Sequence, residues 1–180
     1  MTAPEPPADD VVPDTKDWTW VLERACPECG FEAGAVPGSA VPALVRGFAS
    51  RWLQVLTRPD VARRPAPGVW SPLEYACHVR DVCRVFRGRA ELMLAEDSPT
   101  FANWDQDAAA VADRYAEQVA ATVAGELRQA SEAAAATFAA VDGAQWARPG
   151  LRSNGSRFTV ETLAQYFAHD LAHHLWDVRG

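Results

Sequence analysis

The sequence predicts an all-α protein built as a four-helix bundle. Stretches of the chain repeat apolar residues at helical spacing, short or medium connections join them, and no stretch alternates apolar and polar residues well enough to indicate a strand. Amphipathic helices with such connections pack as a bundle whose interior they share. At 180 residues the chain is long enough for one domain with a substantial core.

The first half of the bundle consists of two predicted helices. A stripe of apolar residues predicts helix one over residues 39–57. Helix two is predicted over residues 72–95, because Ser71 and Glu74 form a capping box and Pro72 takes the first helical position, where its missing N–H costs nothing. The side chains on helix two that we expect to face water are Arg80, Arg84 and Arg87.

The second half contains a long alanine-rich helix and the last helix. Helix three is predicted over residues 107–141, which is long enough for a break near Gly125. Thr159 is the predicted N-cap of a helix over residues 160–177. The connections expected to form the walls of a pocket are residues 58–70, 96–108 and 146–158.

The chain is predicted to divide into a tail, an extension and the bundle. Residues 1–17 are rich in Pro and Asp and poor in apolar side chains, which predicts a disordered tail. Residues 18–38 form a short N-terminal extension that carries a CxxC turn. The four-helix bundle is predicted over residues 39–180.

The CxxC turn of the extension comprises Cys26 and Cys29. Such a turn directs two sulfur atoms toward one point, but a closed zinc site takes four ligands. The other cysteines, Cys77 and Cys83, lie six residues apart on a predicted helix and therefore point in different directions. The sequence leaves open a zinc site, a redox-active pair and a plain turn with two free thiols.

Composition excludes several function classes. The net charge of −7 argues against nonspecific nucleic-acid binding, which depends on clustered cationic charge. There is no apolar run long enough for a membrane span and no signal-peptide pattern, so we expect no membrane partner, a cytoplasmic location and reduced thiols.

Three of the four histidines lie on the last predicted helix. His169 and His173 are four residues apart, so their imidazoles leave one face about 6 Å from each other, a spacing that suits a shared metal ion. His174 lies about 100° round the axis and is not expected to join them easily. The remaining histidine, His78, lies near the second turn of helix two. We therefore predict a metal site that His78, His169 and His173 form between two helices.

Three imidazoles leave a divalent ion with an open coordination position, which is the pattern of a catalytic site. Zinc is the first choice, and nickel, iron and cobalt also accept imidazole. Such an ion lowers the pKa of a bound water or binds a thiolate. Acidic residues one turn from a ligand can orient its ring; those that share a face with a predicted ligand are Glu74, Asp81 and Asp177.

The pattern resembles the DinB-like superfamily, which includes thiol-dependent S-transferases and the N-terminal domain of mycothiol-dependent maleylpyruvate isomerase. The residues that carry the resemblance are Trp70-Ser71-Pro72-Leu73-Glu74, then His78 and Asp81, and about 90 residues later His169-Asp170-Leu171-Ala172-His173. It covers roughly residues 40–178. The resemblance implies a four-helix bundle, one metal ion held by the three histidines, often a homodimer, and transfer of a low-molecular-weight thiol. The isomerase-like members resemble this chain less, because His169 stands where they have an acidic residue.

Our leading hypothesis is therefore a metal-dependent enzyme that transfers a mycothiol-type thiol to an electrophilic small molecule. The first alternative is a hydrolase or lyase that uses metal-bound hydroxide on the same ion. The second is a bundle without turnover that binds or senses metal, in which Cys26 and Cys29 mediate assembly or a redox response.

Overall fold

The computed structural model describes residue 11 and residues 16–180. Most of the predicted tail, residues 1–17, lies outside the described residues. Within the described part of the chain, no helix is both long enough and apolar enough to cross a bilayer. The helices are α1 (Val41–Val55), α2 (Pro72–Ala95), α3 (Gln106–Ala112), α4 (Ala120–Ala139) and α5 (Val160–Asp177).

Four of these helices form the bundle. α1 and α2 each pack against both α4 and α5, so the order around the bundle is α1, α4, α2, α5. Burial of large apolar side chains stabilises this arrangement by about 1.5–3 kcal/mol for each one. The largest apolar side chains that are fully buried are Trp52, Tyr115, Phe138, Phe167, Met93, Leu127, Leu163, Leu171 and Leu175. The predicted all-α bundle is confirmed.

Local capping fixes where α2 and α5 begin. Ser71 Oγ accepts a hydrogen bond from Glu74 N, and the Glu74 carboxylate accepts one from Ser71 N, which completes the predicted capping box. At α5, Thr159 Oγ1 accepts from Thr162 N at 3.1 Å and Thr162 Oγ1 accepts from Thr159 N at 2.8 Å. Both helices therefore begin at the predicted residues, and they also end where the sequence predicted.

The predicted third helix is interrupted, but not near Gly125. The chain leaves α3 at Asp113, passes through Arg114 in the left-handed region (φ 48°) and buries Tyr115 before α4 begins. The Tyr115 hydroxyl donates to Asp81 at 2.6 Å, which holds the interruption against α2. Alanine favours helix in any register, so the composition gave no sign of this break.

The break also changes the surroundings of α2. Arg80 was expected to face water, but it is only 2% exposed. Its guanidinium donates to Asp81, Asp113 and Glu126 at 2.5–2.9 Å, because the connection between α3 and α4 folds over it. A prediction from one helix alone could not include partners from the next.

A three-stranded sheet, which the sequence analysis did not predict, closes one end of the bundle. Each strand has only two to four residues, which is too short for alternation of apolar and polar residues to be visible in the sequence. The strands are β1 (Thr100–Phe101), β2 (Pro149–Arg152), which pairs parallel to β1, and β3 (Arg157–Thr159), which pairs antiparallel to β2.

The N-terminal extension packs on the last helix. Short 3-10 turns over Thr19–Leu22, Ala33–Ala35 and Gly38–Ala40 contact α5. Gln165 Nε2 donates to the carbonyl of Val36 at 2.8 Å, which ties the extension to the middle of the helix.

Candidate metal centres

The C-terminal half of α5 carries two ligand pairs, each at i and i+4. His169 and His173 form one pair, and Asp170 and His174 form the other, one residue later along the helix. Because neighbouring residues point about 100° apart on a helix, the two pairs face different surroundings. The structure shows that each pair meets different partners from elsewhere in the chain.

The first group, which we call the bundle site, consists of His78 from α2 with Asp170 and His174 from α5. One ligand atom from each residue lies within 4.8 Å of the others. His78 Nε2 is 3.8 Å from Asp170 Oδ1, and His174 Nε2 is 3.7 Å from the same oxygen. Two imidazoles and a carboxylate therefore converge on one point between two helices of the bundle.

His78 has the burial and, among the described residues, the unpaired ring nitrogens expected of a metal ligand. The side chain is 1% exposed, and within the described part of the chain neither ring nitrogen has a hydrogen-bond partner. Burial, with His174 nearby, holds the pKa of His78 well below 6.5, so the ring is neutral at physiological pH. A buried polar group without a partner is costly, and coordination of a cation would satisfy it. The donors present therefore fit a divalent ion.

Asp177 orients one of these ligands. Its Oδ2 lies 2.8 Å from His174 Nδ1. Because an ionised carboxylate can only accept, Nδ1 carries the proton, and the lone pair of Nε2 is left to face the bundle site. Asp177 was predicted to orient an imidazole, and the structure places it beside His174 more closely than beside His173, whose Nε2 is 3.9 Å from Oδ1.

Glu74 and Asp81, the other residues predicted to orient imidazoles, have different hydrogen-bond partners. The Glu74 carboxylate accepts from Ser71 N and, at 2.6–3.0 Å, from the guanidinium of Arg64. Asp81 accepts from Arg80, Arg84 and Tyr115. These contacts fix α2, which carries His78, and the predicted role of either carboxylate in orienting an imidazole stays a prediction.

The second group, which we call the extension site, consists of Cys26 and Cys29 with His169 and His173. Their four ligand atoms also lie within 4.8 Å of one another. Cys26 Sγ is 3.7 Å from His173 Nδ1. Burial, with His173 and His174 nearby, lowers the pKa of His169 to about 4, and burial also lowers the pKa of His173.

A cavity of about 660 Å³ opens beside both groups. Asp170, His173 and His174 reach it from α5. All three connections that were expected to supply its walls contribute to it: residues that line it include Val69, Trp70, Asn103, Trp104, Arg152 and Asn154. The extension adds Trp18 and Glu28, which the sequence analysis did not assign to the cavity.

Aromatic rings pack against the two imidazoles of the bundle site. Trp104 stacks on His78 with ring centres 5.4 Å apart and planes 16° from parallel, and Trp70 lies 5.4 Å from the same ring. Tyr75 lies 5.2 Å from His174. All three rings also line the cavity, so they cover the imidazoles of the site and form part of the cavity wall.

The predicted ligands are thus divided between two groups. The structure brings His169 and His173 together, with ring centres 5.2 Å apart, but joins them to the cysteines and joins His78 to Asp170 and His174. The set of three histidines as ligands of one ion stays a prediction. Sequence reasoning missed Asp170 and His174, although their i, i+4 spacing was a visible signal.

Comparisons with known proteins agree with this fold. A family model described as DinB superfamily matches residues 45–178. No curated protein matches the chain. The structure is similar to that of YfiT from Bacillus subtilis, with a TM-score of 0.61 and 17% identity over 93% of this chain and 89% of that one. YfiT is described as a probable metal-dependent hydrolase with an unusual four-helix bundle topology. Because the family model matches most of its length, this chain belongs to the DinB superfamily.

Proposed function

We propose that the protein is a metal-dependent enzyme whose catalytic ion is held by His78, Asp170 and His174. The observation that carries the proposal is the buried imidazole of His78, whose two nitrogens lack hydrogen-bond partners within the described chain and which faces a carboxylate and a second imidazole. Three protein ligands leave a coordination position open, as catalytic sites require. The cavity gives a small molecule access to that position.

The chain's own residues would perform three tasks. His78, Asp170 and His174 bind the ion, and Asp177 fixes the tautomer of His174. Trp70 and Trp104 cover His78 and keep bulk water from its ring. A divalent ion at this place would supply Lewis acidity, which lowers the pKa of a coordinated nucleophile and polarises an electrophile.

Hydrolysis of a small-molecule substrate is the reaction that this site supports best. It needs only the ion, water and one substrate, and the structurally similar YfiT is described as a probable metal-dependent hydrolase. The cavity of about 660 Å³ lies within the usual range for sites that hold a small ligand. Zinc suits two imidazoles and a carboxylate, and nickel or iron would also accept them.

Transfer of a low-molecular-weight thiol, such as mycothiol, is the second candidate. The observation that supports it is the cavity beside the bundle site, through which a thiol could reach the open position of the ion. The same ion would then hold the thiol in place of water.

A reconstitution experiment tests the proposal and separates the two reactions. Metal-free protein is supplied with zinc, nickel or iron(II) and assayed against chromogenic esters, amides and haloaromatic electrophiles, with and without added thiol. We expect turnover that needs metal and is absent in His174→Ala, while Asp97→Asn, a change at a fully exposed carboxylate, keeps it. Turnover that requires thiol would favour transfer, and equal turnover in His174→Ala would contradict the proposal.

A further inference from the structure

The extension site has no task in the reaction proposed above. Cys26 and Cys29 come from the N-terminal extension, while His169 and His173 come from the last helix. About 140 residues of chain separate the two pairs, yet their four ligand atoms lie within 4.8 Å of one another. The fold thus brings together two thiols and two imidazoles that no feature of the bundle requires to meet.

We propose that Cys26, Cys29, His169 and His173 form a closed, structural zinc site that fastens the N-terminal extension to α5. Two cysteines with two residues between them and two histidines with three between them match the ligand spacing of structural zinc sites with two Cys and two His. Four protein ligands complete a tetrahedron and leave no position for a substrate. The neighbouring bundle site has three protein ligands. Structural zinc sites have four protein ligands and catalytic zinc sites have three, so the two groups differ in the way that separates these two kinds of site.

The backbone of the turn is arranged to present both sulfur atoms. Cys26 N donates to the carbonyl of Phe31 at 3.0 Å, and Gly30 N donates to the carbonyl of Cys26 at 2.8 Å. Gly30 has a φ of +73°, a conformation that L side chains rarely adopt, so glycine suits the residue that follows the second cysteine. These bonds close the turn around Pro27 and Glu28 and hold the cysteines on one side.

A buried nitrogen in the extension site has a need that coordination would satisfy. Cys26 is 1% exposed and His169 is 4% exposed. Within the described residues, His169 Nε2 has no hydrogen-bond partner, although it is buried. An apolar contact does not compensate for a buried nitrogen without a partner, whereas coordination does. Trp18 and Phe31 cover the two imidazoles, with ring centres 4.8 Å from His173 and 6.5 Å from His169.

The Glu28 carboxylate lies beside the ring nitrogen of His173 that faces away from the cysteines. His173 turns Nδ1 toward Cys26 Sγ at 3.7 Å and Nε2 toward Glu28 Oε2 at 3.5 Å. A ligating histidine commonly donates its other N–H to a carboxylate, which fixes the ring and strengthens its lone pair. Glu28 lies between the two cysteines in sequence, so the same turn supplies two ligands and the partner of a third.

A redox-active pair is the rival for these cysteines. A redox pair needs only its two sulfur atoms and has no use for imidazoles. Here His169 and His173 each place a ring nitrogen within 4.8 Å of both sulfur atoms, so metal binding explains more of the geometry.

The zinc site would also shape the cavity. Trp18 and Glu28 line the cavity beside His173, and both belong to the extension that the four ligands fasten. The inference does not rest on the proposed catalytic reaction, since the two sites share no ligand.

Cobalt spectroscopy tests the site by a signal that only sulfur ligands give. Protein in which cobalt(II) replaces the native metal should show sulfur-to-cobalt charge-transfer absorption in the near ultraviolet and intense visible bands of a tetrahedral ion. Cys29→Ser should lose the charge-transfer absorption and one ion per chain. Two controls should keep the absorption: Cys83→Ser, which removes a buried thiol of α2, and His78→Ala, which disrupts only the bundle site.

X-ray absorption of the wild-type zinc protein provides a second test if Cys29→Ser does not fold. We expect a sulfur shell at about 2.3 Å and a nitrogen shell at about 2.0 Å. A folded cobalt protein without charge-transfer absorption, a zinc spectrum without sulfur, or a Cys26–Cys29 disulfide in freshly purified protein would each overturn the proposal. Loss of the bundle-site ion alone would not affect the proposal of a zinc site at Cys26, Cys29, His169 and His173.

Discussion

Removal of the Asp177 carboxylate should weaken metal binding at the bundle site without removing a ligand. Asp177 Oδ2 accepts from His174 Nδ1 at 2.8 Å, and this bond keeps the Nε2 lone pair directed at Asp170 and His78. In Asp177→Ala the ring can rotate and change tautomer. In Asp177→Asn the amide oxygen can still accept from Nδ1, so the conservative variant should recover part of the affinity.

The expected magnitude follows from the role of such outer partners. Their loss costs about 10–100-fold in metal affinity, which is about 1.4–2.7 kcal/mol of binding free energy. The extension site should change less, because His173 Nε2 keeps Glu28 at 3.5 Å whereas Asp177 is 3.9 Å away. The affinity should therefore fall for the ion of the bundle site and not for the ion of the extension site.

Competition with a chromogenic chelator measures this affinity directly. Zinc is partitioned between the chelator and one protein, which is wild type, Asp177→Ala, Asp177→Asn or Asp97→Ala. The last is a control, because the Asp97 carboxylate is fully exposed and belongs to neither group of ligands. We expect the affinities of wild type and control to agree and those of the Asp177 variants to fall, Ala more than Asn. An unchanged affinity in Asp177→Ala would refute the role assigned to this carboxylate.

Three further predictions concern the scaffold that holds the sites. Replacing buried Arg80 with Leu removes the guanidinium that pairs with three carboxylates, two of which keep contact with Arg84, and should lower the free energy of unfolding by about 1.5–3 kcal/mol, measured with urea. Burial raises the pKa of Glu74, but the hydrogen bonds from Arg64 and Ser71 together outweigh it and hold the pKa below 4.5. The stabilisation by Glu74 is therefore present at neutral pH and lost as the pH falls through the lowered pKa of the folded state, so wild type and Glu74→Gln should differ in stability at neutral pH and converge in acid. In Gly34→Ala the added Cβ would collide with the backbone carbonyl of Leu22, so amides of residues 18–38 should exchange faster in hydrogen-exchange measurements while those of α2 do not.

Local signals in the sequence were sufficient for the helices that carry the ligands. The capping box of Ser71 with Glu74 and the Thr159 cap satisfy backbone groups within a few residues, so their effect does not depend on the rest of the fold. They fixed the starts of α2 and α5, and with them the positions of His78 and the α5 histidines along these helices. Helix periodicity likewise predicted the bundle.

The grouping of the ligands depended on contacts between distant parts of the chain. The i, i+4 rule identified His169 and His173 as a pair but could not tell whether α2 or the extension faces them. The rotation of α5, set by burial of Leu171 and Phe167, turns Asp170 and His174 toward His78 instead. The break after α3 and the burial of Arg80 were hidden for the same reason, since both depend on packing between elements.

Metal counting in two histidine variants tests the central claim most directly. Elemental analysis of protein purified without an affinity tag should find two ions per chain in wild type and one in each of His174→Ala and His169→Ala. The cobalt form should keep sulfur charge-transfer absorption in the first variant and lose it in the second. A single ion in wild type that His169→Ala removes and His174→Ala leaves would contradict the bundle site of His78, Asp170 and His174. It would instead favour a shared site built on His169 and His173.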